Sequence, residues 1–146
     1  AAPLDTMTLL ATELERDERL MMVIGSRVKL LGWSIRRSEL RHYLGRVFAT
    51  CASITLRLPV YDTQCGAKVL RGSAVVRSAL AEPFLSRWLF DVELIARLRD
   101  AAGVGTLREV PIPVWADQRG SSLGLVDFLR APWQLWRIWR RYPWRG

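Results

Sequence analysis

The chain has 146 residues, half of them hydrophobic, with 22 Lys and Arg against 14 Asp and Glu and a formal net charge of +8. This length suits one domain or part of a larger one, and the hydrophobic share excludes intrinsic disorder. The positive balance points to an anionic partner (nucleic acid, nucleotide, phospholipid or lipid phosphate), and two cysteines give neither a disulfide framework nor a metal site, so a reducing compartment is the default.

The chain opens without Met, on Ala1-Ala2-Pro3-Leu4-Asp5, with no charged segment leading into an apolar run. That opening is expected of a fragment that begins at a helix in mid-domain. No apolar run reaches the roughly 18 residues that span a bilayer, which leaves contact with a membrane surface open.

Residues 5–19 are expected to form a first helix, capped by Asp5 or Thr6, with Leu9, Leu10 and Leu14 at helical spacing. Leu20-Met21-Met22-Val23-Ile24, ending at Gly25, is a short continuous apolar run and predicts a buried strand. Ser26-Arg27 follows at its C-terminal end, where ligands gather in open α/β sheets. From Ser38 to Leu58, the residues Leu40, Tyr43, Leu44, Val47, Phe48, Cys51, Ile54, Thr55 and Leu58 repeat at three and four positions. They predict a helix whose apolar side includes Cys51 as a small core residue, with Arg41, His42, Arg46 and Arg57 opposite and Pro59 as its stop. Arg27, Lys29, Arg36, Arg37, Arg41, Arg46 and Arg57 make this part of the chain cationic. Guanidinium grips phosphate oxygens bidentately, although such a cluster is also what a solvated face carries.

Pro59-Val60-Tyr61-Asp62-Thr63-Gln64-Cys65-Gly66-Ala67-Lys68 gathers an acid, an amide, a glycine and a lysine into one turn. Asp62 alone is an ordinary turn residue. Gly66 suits a backbone conformation that other residues resist, and Lys68 offers a point charge to phosphate. A short helix is expected from about Ala74 to Leu80, and a second, opened by Pro83, from about Phe84 to Asp100, ended by Gly103 and Gly105. In that second helix Asp91 falls among Leu94, Ile95 and Leu98. An acid on an apolar face costs energy unless it is paired or functional; Arg87, one turn earlier, or another basic side chain is its candidate partner. Glu93 points elsewhere and reads as a solvated pair with Arg97.

Arg108 to Trp115 reads as an extended edge segment, since Pro111 and Pro113 exclude a central strand. A polar loop from Ala116 to Ser122 carries Arg119. The last helix, about Leu125 to Arg141, has one narrow polar stripe of Asp127, Arg130, Gln134, Arg137 and Arg141. Trp133, Trp136 and Trp139, with Trp144 beyond, occupy much of the rest. Wide apolar faces with Trp and Arg suit a bilayer interface or burial against a partner domain. The expected organisation is an α/β unit over 1–124 followed by a Trp- and Arg-rich amphipathic helix over 125–146.

Four blocks, taken in order, resemble the acceptor half of family 2 inverting glycosyltransferases of the dolichyl-phosphate glucosyltransferase and polyprenyl-phosphate glycosyltransferase type. They are Val23-Ile24-Gly25-Ser26-Arg27, Arg41 with Gly45-Arg46, Asp62-Thr63-Gln64-Cys65-Gly66-Ala67-Lys68, and Arg87-Trp88-Leu89-Phe90-Asp91-Val92-Glu93-Leu94. Glu109-Val110-Pro111 through Trp115 to Gly120-Ser121 forms a weaker fifth. The chain departs from the family's pattern at Ser122, where the family continues with Lys, and at Gly45 and Ala49, where relatives often carry Ser or Asn.

The resemblance implies the C-terminal portion of a GT-A, Rossmann-like domain, helix-rich, with amphipathic interfacial helices. It implies transfer of a hexose from a nucleotide-sugar, UDP-glucose or GDP-mannose, to a polyprenyl phosphate, peripherally at the cytoplasmic face of a membrane and without nucleic acid. Asp62 and Asp91 are the implied catalytic acids. Arg27, Arg41, Gln64, Gly66, Lys68, Arg87, Trp88 and Arg119 are the implied substrate-binding residues. A divalent metal, Mg or Mn, is implied on an Asp-X-Asp motif upstream of Ala1, with no metal ligand in these residues, and the 146 residues alone are expected to be inactive. Two other readings stand beside this one: a basic module that binds membrane or nucleic acid without catalysis, and a processive polysaccharide synthase whose Gln-X-X-Arg-Trp motif Arg87-Trp88 echoes, with Phe84 where the Gln belongs.

Overall fold

The structure, a computed structural model, describes residues 3–28, 31, 34–36, 39–116 and 125–143. It is a helix-rich α/β fold around a small mixed sheet. Helix α1 (Leu4–Arg16) leads to strand β1 (Met22–Ser26), β2 (Ser34–Arg36) and the long helix α2 (Glu39–Leu56). The motif turn follows, then β3 (Lys68–Leu70), α3 (Ala74–Ala81) and α4 (Phe90–Ala102). A 3-10 turn (Val104–Thr106) joins α4 to β4 (Leu107–Pro111), and β5 (Val114–Ala116) and α5 (Leu125–Arg141) complete the chain.

The predicted strand forms and takes the middle of the sheet, in the order β3-β1-β4. It pairs antiparallel with β3, Met22 opposite Leu70, and parallel with β4 from Met22–Leu107 to Ser26–Pro111. A strand covered on both edges and both faces needs no polar side, and every residue of β1 is buried. β4 lies at the sheet's edge, where its one proline, Pro111, is tolerated. β2 and β5 form a separate parallel pair, Ile35 opposite Trp115.

Several element boundaries differ from expectation for local reasons. α1 starts after Pro3, with Asp5 and Thr6 inside the first turn rather than capping it. It stops at Arg16 because the Asp17 carboxylate takes the Arg19 amide at 3.1 Å and its guanidinium at 3.0 Å, a turn that competes with helix. α4 starts at Phe90, not Phe84. Ser86 Oγ accepts the amides of Trp88 at 3.2 Å and Leu89 at 3.0 Å, which holds residues 83–89 in turns. Arg87 is therefore not one helical turn before Asp91.

α4 is the core helix: each residue from Asp91 to Arg99 is buried. Its two arginines satisfy carbonyls at the ends of three other helices. Arg99 donates to Leu56 O at 2.7 Å, the last residue of α2, and to Tyr142 O at 2.9 Å, just past α5. Arg97 donates to Ala79 O at 2.8 Å, Glu82 O at 2.7 Å and Pro83 O at 2.8 Å, at the end of α3. Helix C-termini carry unpaired carbonyls and partial negative charge, so buried guanidinium is well matched to them.

α2 buries a face rotated from the expected one, although Phe48 and Leu58 of the predicted stripe are buried. Phe48, Ala49, Ala52 and Leu56 are buried, while Tyr43, Leu44, Val47 and Ile54 of the longer apolar stripe are exposed. Cys51 shares that stripe and is exposed too, so it is not a core residue. The small Ala49 and Ala52 allow close approach to the body, which the bulky stripe does not. α5 divides similarly: Ala131, Leu135 and Ile138 are buried, and Leu129, Trp133, Trp136 and Trp139 face outward. Among the described residues no helix is long and apolar enough to cross a membrane.

Candidate functional site

The parallel strands β1 and β4 end side by side at Ser26 and Pro111, and the motif turn folds across that end. The approach depends on Gly25. Its amide donates to Ala67 O at 2.8 Å, and a Cβ there would lie 3.0 Å from Ile112 Cγ2 and 3.2 Å from Ala67 O. Gly66 plays no such part. It is exposed, its φ is outside the left-handed region, and an added Cβ would meet only Trp115 at 3.8 Å. The expectation that Gly66 supplies a special backbone conformation is therefore corrected.

Arg27, the first residue after β1, is fastened to Asp62 in the turn. The Arg27 Nε lies 2.6 Å from Asp62 Oδ2, Nη2 lies 2.7 Å from Oδ1, and the Arg27 amide donates to Oδ2 at 3.1 Å. The guanidinium also lies 5.0 Å from the Trp115 ring centroid. Glu109, on β4, fixes the turn from below by accepting the amides of Tyr61 at 2.8 Å and Asp62 at 2.6 Å. Arg46 of α2 covers the Tyr61 ring at 4.0 Å.

The second acid reaches the same place from α4. Asp91 Oδ1 is 2.9 Å from Lys68 Nζ, and both side chains are almost wholly buried. Lys68 also donates to the Cys65 carbonyl. Burial pushes the Asp91 carboxyl above its ordinary value; Lys68 opposes that, and the charge of Asp62 reinforces it. The two acids thus belong to one electrostatic cluster, each held by its own cation. Asp91 does not pair with Arg87; Arg87 is exposed and makes no ion pair among the described residues. Cys65 is buried, and burial pushes its thiol up, so it is not poised as a nucleophile.

Gln64 donates to the Trp88 carbonyl at 3.3 Å, and the Trp88 ring packs tilted against Phe48 of α2 with centroids 5.3 Å apart. The Oγ of Ser26 and the Oγ1 of Thr63 are buried at the same strand end without a partner among the described residues. Of the residues singled out in the sequence, Arg27, Asp62, Gln64, Lys68, Trp88 and Asp91 are thus brought together or joined by direct contacts. Arg41 lies in the first turn of α2, but its side chain falls outside the described residues, as do the whole of Arg119 and Trp144. Glu109 and Trp115 take part without having been assigned a role. The sequence signal for Glu109 was slight: a single acid between Arg108 and Val110 in a segment read as extended.

Glu93 is corrected in kind. It pairs with Arg97 as expected, at 2.7 Å, but the pair is buried rather than solvated. Glu93 also accepts from the Leu85 amide at 2.7 Å and the Tyr142 hydroxyl at 3.1 Å. A cavity of about 820 Å³ opens beside this pair, between α3, α4 and the end of α5. Glu93, Arg97 and Asp100 in its lining already have protein partners, and none of Arg27, Asp62, Lys68 or Asp91 lines it, so it is not where the chemistry-bearing residues meet.

No group of three or more His, Cys, Asp or Glu among the described residues is placed to hold a metal ion. Among the described residues Asp62 and Asp91 are each engaged by a cation, and the divalent metal that the resemblance implies would be held by the motif upstream of Ala1. No protein-family model, curated protein or solved structure matches the chain.

Proposed function

We propose that this chain is the acceptor-side part of an inverting GT-A glycosyltransferase, which moves a hexose from a nucleotide-sugar to a polyprenyl phosphate at the cytoplasmic face of a membrane. The observation that carries the reading is convergence. Arg27, the Asp62–Lys68 turn, Asp91 and Trp115 come from four separate segments and meet at the C-terminal end of a parallel strand pair, where open α/β sheets bind ligands.

In the proposed reaction an oxygen of the lipid phosphate attacks the anomeric carbon, the bond from that carbon to the diphosphate oxygen breaks, and the nucleoside diphosphate leaves. A phosphate monoester has a second pKa near ~6 and is mostly ionised at neutral pH, so a strong base is not required. What is required is fixed positive charge and correct placement. Asp62 orients Arg27 toward the strand end, and Lys68 supplies a second cation. Asp91, whose proton affinity burial raises, is suited to take a residual proton from the acceptor. The divalent metal would supply charge on the donor diphosphate from residues upstream, and none of these roles depends on it.

The outward faces of α2 and α5 support the membrane part of the reading. Trp133 and Trp136 stack at 4.7 Å, Arg140 lies 5.4 Å from the Trp136 ring, and Arg130 and Arg137 flank them, exposed. Aromatic rings ringed by guanidinium, on a chain of net charge +8, complement an anionic headgroup layer. They sit on a helix rather than on a base-stacking sheet, which disfavours nucleic acid.

The test is sugar transfer by the full-length gene product. Membranes carrying polyprenyl phosphate would receive radiolabelled UDP-glucose or GDP-mannose with Mg or Mn, alongside Asp62→Asn and Asp91→Asn. The expected result is a labelled lipid, lost or strongly reduced in both variants. No lipid product with any donor, together with salt-sensitive binding to anionic vesicles or nucleic acid, would replace the enzyme by a binding module.

A further inference from the structure

The turn at residues 83–89 is the joint between the site and the tryptophan-bearing helix. Ser86 is its hub: besides accepting the amides of Trp88 and Leu89, its hydroxyl donates to Oε1 of Gln134 on α5 at 2.7 Å. Leu89 leads directly into α4, whose first turn carries Asp91. Trp88 offers its carbonyl to Gln64 of the motif turn. Gln134 itself lies at the border between the buried line Ala131, Leu135 and Ile138 and the exposed arginines of α5. A continuous path of hydrogen bonds therefore runs from α5 through Gln134, Ser86 and the Trp88 peptide to Gln64, and branches at Leu89 toward Asp91.

We infer that Gln134 is a positioning residue that ties the site to α5, so that seating the tryptophan face on an anionic lipid surface steadies the turn from which both Gln64 and Asp91 are held. This rests on the membrane reading above. The geometry gives the direction of the bond: Ser86 uses its lone pairs on the two amides, so its proton needs an acceptor, and Gln134 Oε1 supplies it. Gln134→Leu removes that acceptor at similar volume. Gln134→Glu keeps an acceptor oxygen in the same place.

Hydrogen exchange of the 146-residue chain, with and without vesicles of equal parts phosphatidylglycerol and phosphatidylcholine, tests the inference. Amides of β1 report global opening, and tryptophan fluorescence reports vesicle binding. The expected result is that vesicles slow exchange at Trp88 and Leu89 in the native protein. Gln134→Leu binds vesicles equally, exchanges at those two amides about threefold to tenfold faster, the scale of one lost hydrogen bond, and shows no slowing on vesicles; Gln134→Glu regains the slowing. Slowing in Gln134→Leu equal to that of the native protein, or native binding without slowing, would overturn the inference while leaving the membrane reading intact. A native protein that does not bind these vesicles would overturn the membrane reading and the inference with it.

Discussion

Asp91 and Glu93 stand two residues apart on one buried helix, and their surroundings assign them opposite work. Glu93 has four hydrogen-bond donors around it: Nε and Nη2 of Arg97, the Tyr142 hydroxyl and the Leu85 amide. Its partners come from the loop before α4, from α4 itself and from the end of α5, so it locks three segments together and has no capacity left for a ligand. Among the described residues Asp91 has Lys68 alone as its ion-pair partner; it lies within the field of a second acid and retains a raised proton affinity. A buried carboxylate that is fully satisfied is architecture. One held by a single cation from another segment, with its proton affinity raised by burial, is where chemistry is possible.

The sharpest way to break this contrast is to remove Glu93. Glu93→Ala leaves the Arg97 guanidinium buried with its anion gone, which costs about 3–5 kcal/mol for a buried pair. Chemical denaturation should show that loss, and the Leu85 amide should exchange faster. A loss under about 1 kcal/mol, the range of an exposed pair, would mean that the network is not the lock described.

Lys68→Met probes the other acid and should act through pH. In the native fold burial raises the Asp91 pKa, so the folded state holds that proton more tightly than the unfolded chain. Stability contributed by Asp91 is therefore present at low pH and falls as pH rises through the raised value. Removing Lys68 deletes the cation that opposes burial and extends the fall to higher pH. The expected loss is about 1–3 kcal/mol above neutrality, shrinking in mild acid as Asp91 protonates. Adding Asp91→Asn should flatten the difference between the two conditions. Destabilisation that grows on acidification would have the wrong sign and would remove Asp91 from this account.

Gly25→Ala separates the regions a third way, because it touches the site's wall and nothing near Glu93. A methyl group 3.0 Å from Ile112 and 3.2 Å from the Ala67 carbonyl must push the motif turn off β1. The expected cost is about 1–3 kcal/mol. It should appear with altered exchange at Cys65 to Lys68 and unchanged exchange at Leu85.

How much of this could be read in the sequence follows from how local each cause is. β1 was legible because an unbroken apolar run ending in glycine has few uses other than a central strand. The bounds of α5 were legible because its periodicity is strong. The start of α4 was not, since a serine hydroxyl taking two amides overrides the proline signal, and composition does not record it. The face of α2 was misread because two small residues, Ala49 and Ala52, decide which side approaches the body, whereas hydropathy favours the bulkier stripe. Asp91 was recognised as anomalous on its apolar face, and its partner was left as Arg87, the nearest in sequence, or another basic side chain. The actual partner, Lys68, comes from the strand after the motif turn, and only tertiary structure joins the two. Glu93 went unrecognised as a lock because its tyrosine partner lies 49 positions away.

The smallest expected effect on folding belongs to the outward tryptophans. Trp133 is 60% exposed and Trp136 is 41% exposed, and their main described contacts are with each other and with Arg140. Trp133→Ala and Trp136→Ala together should change stability by no more than about 0.5–1 kcal/mol, the range of surface changes. Yet each such ring buries a large apolar area when it enters an interface, so the same double variant should lose most of its binding to anionic vesicles. High salt should weaken the native protein's binding by screening Arg130, Arg137 and Arg140. A pair of substitutions that is silent in denaturation and costly in vesicle binding identifies a face held in reserve for a surface. The reverse pattern, a folding defect with vesicle binding retained, would return these rings to the core and leave α5 no reason to expose them.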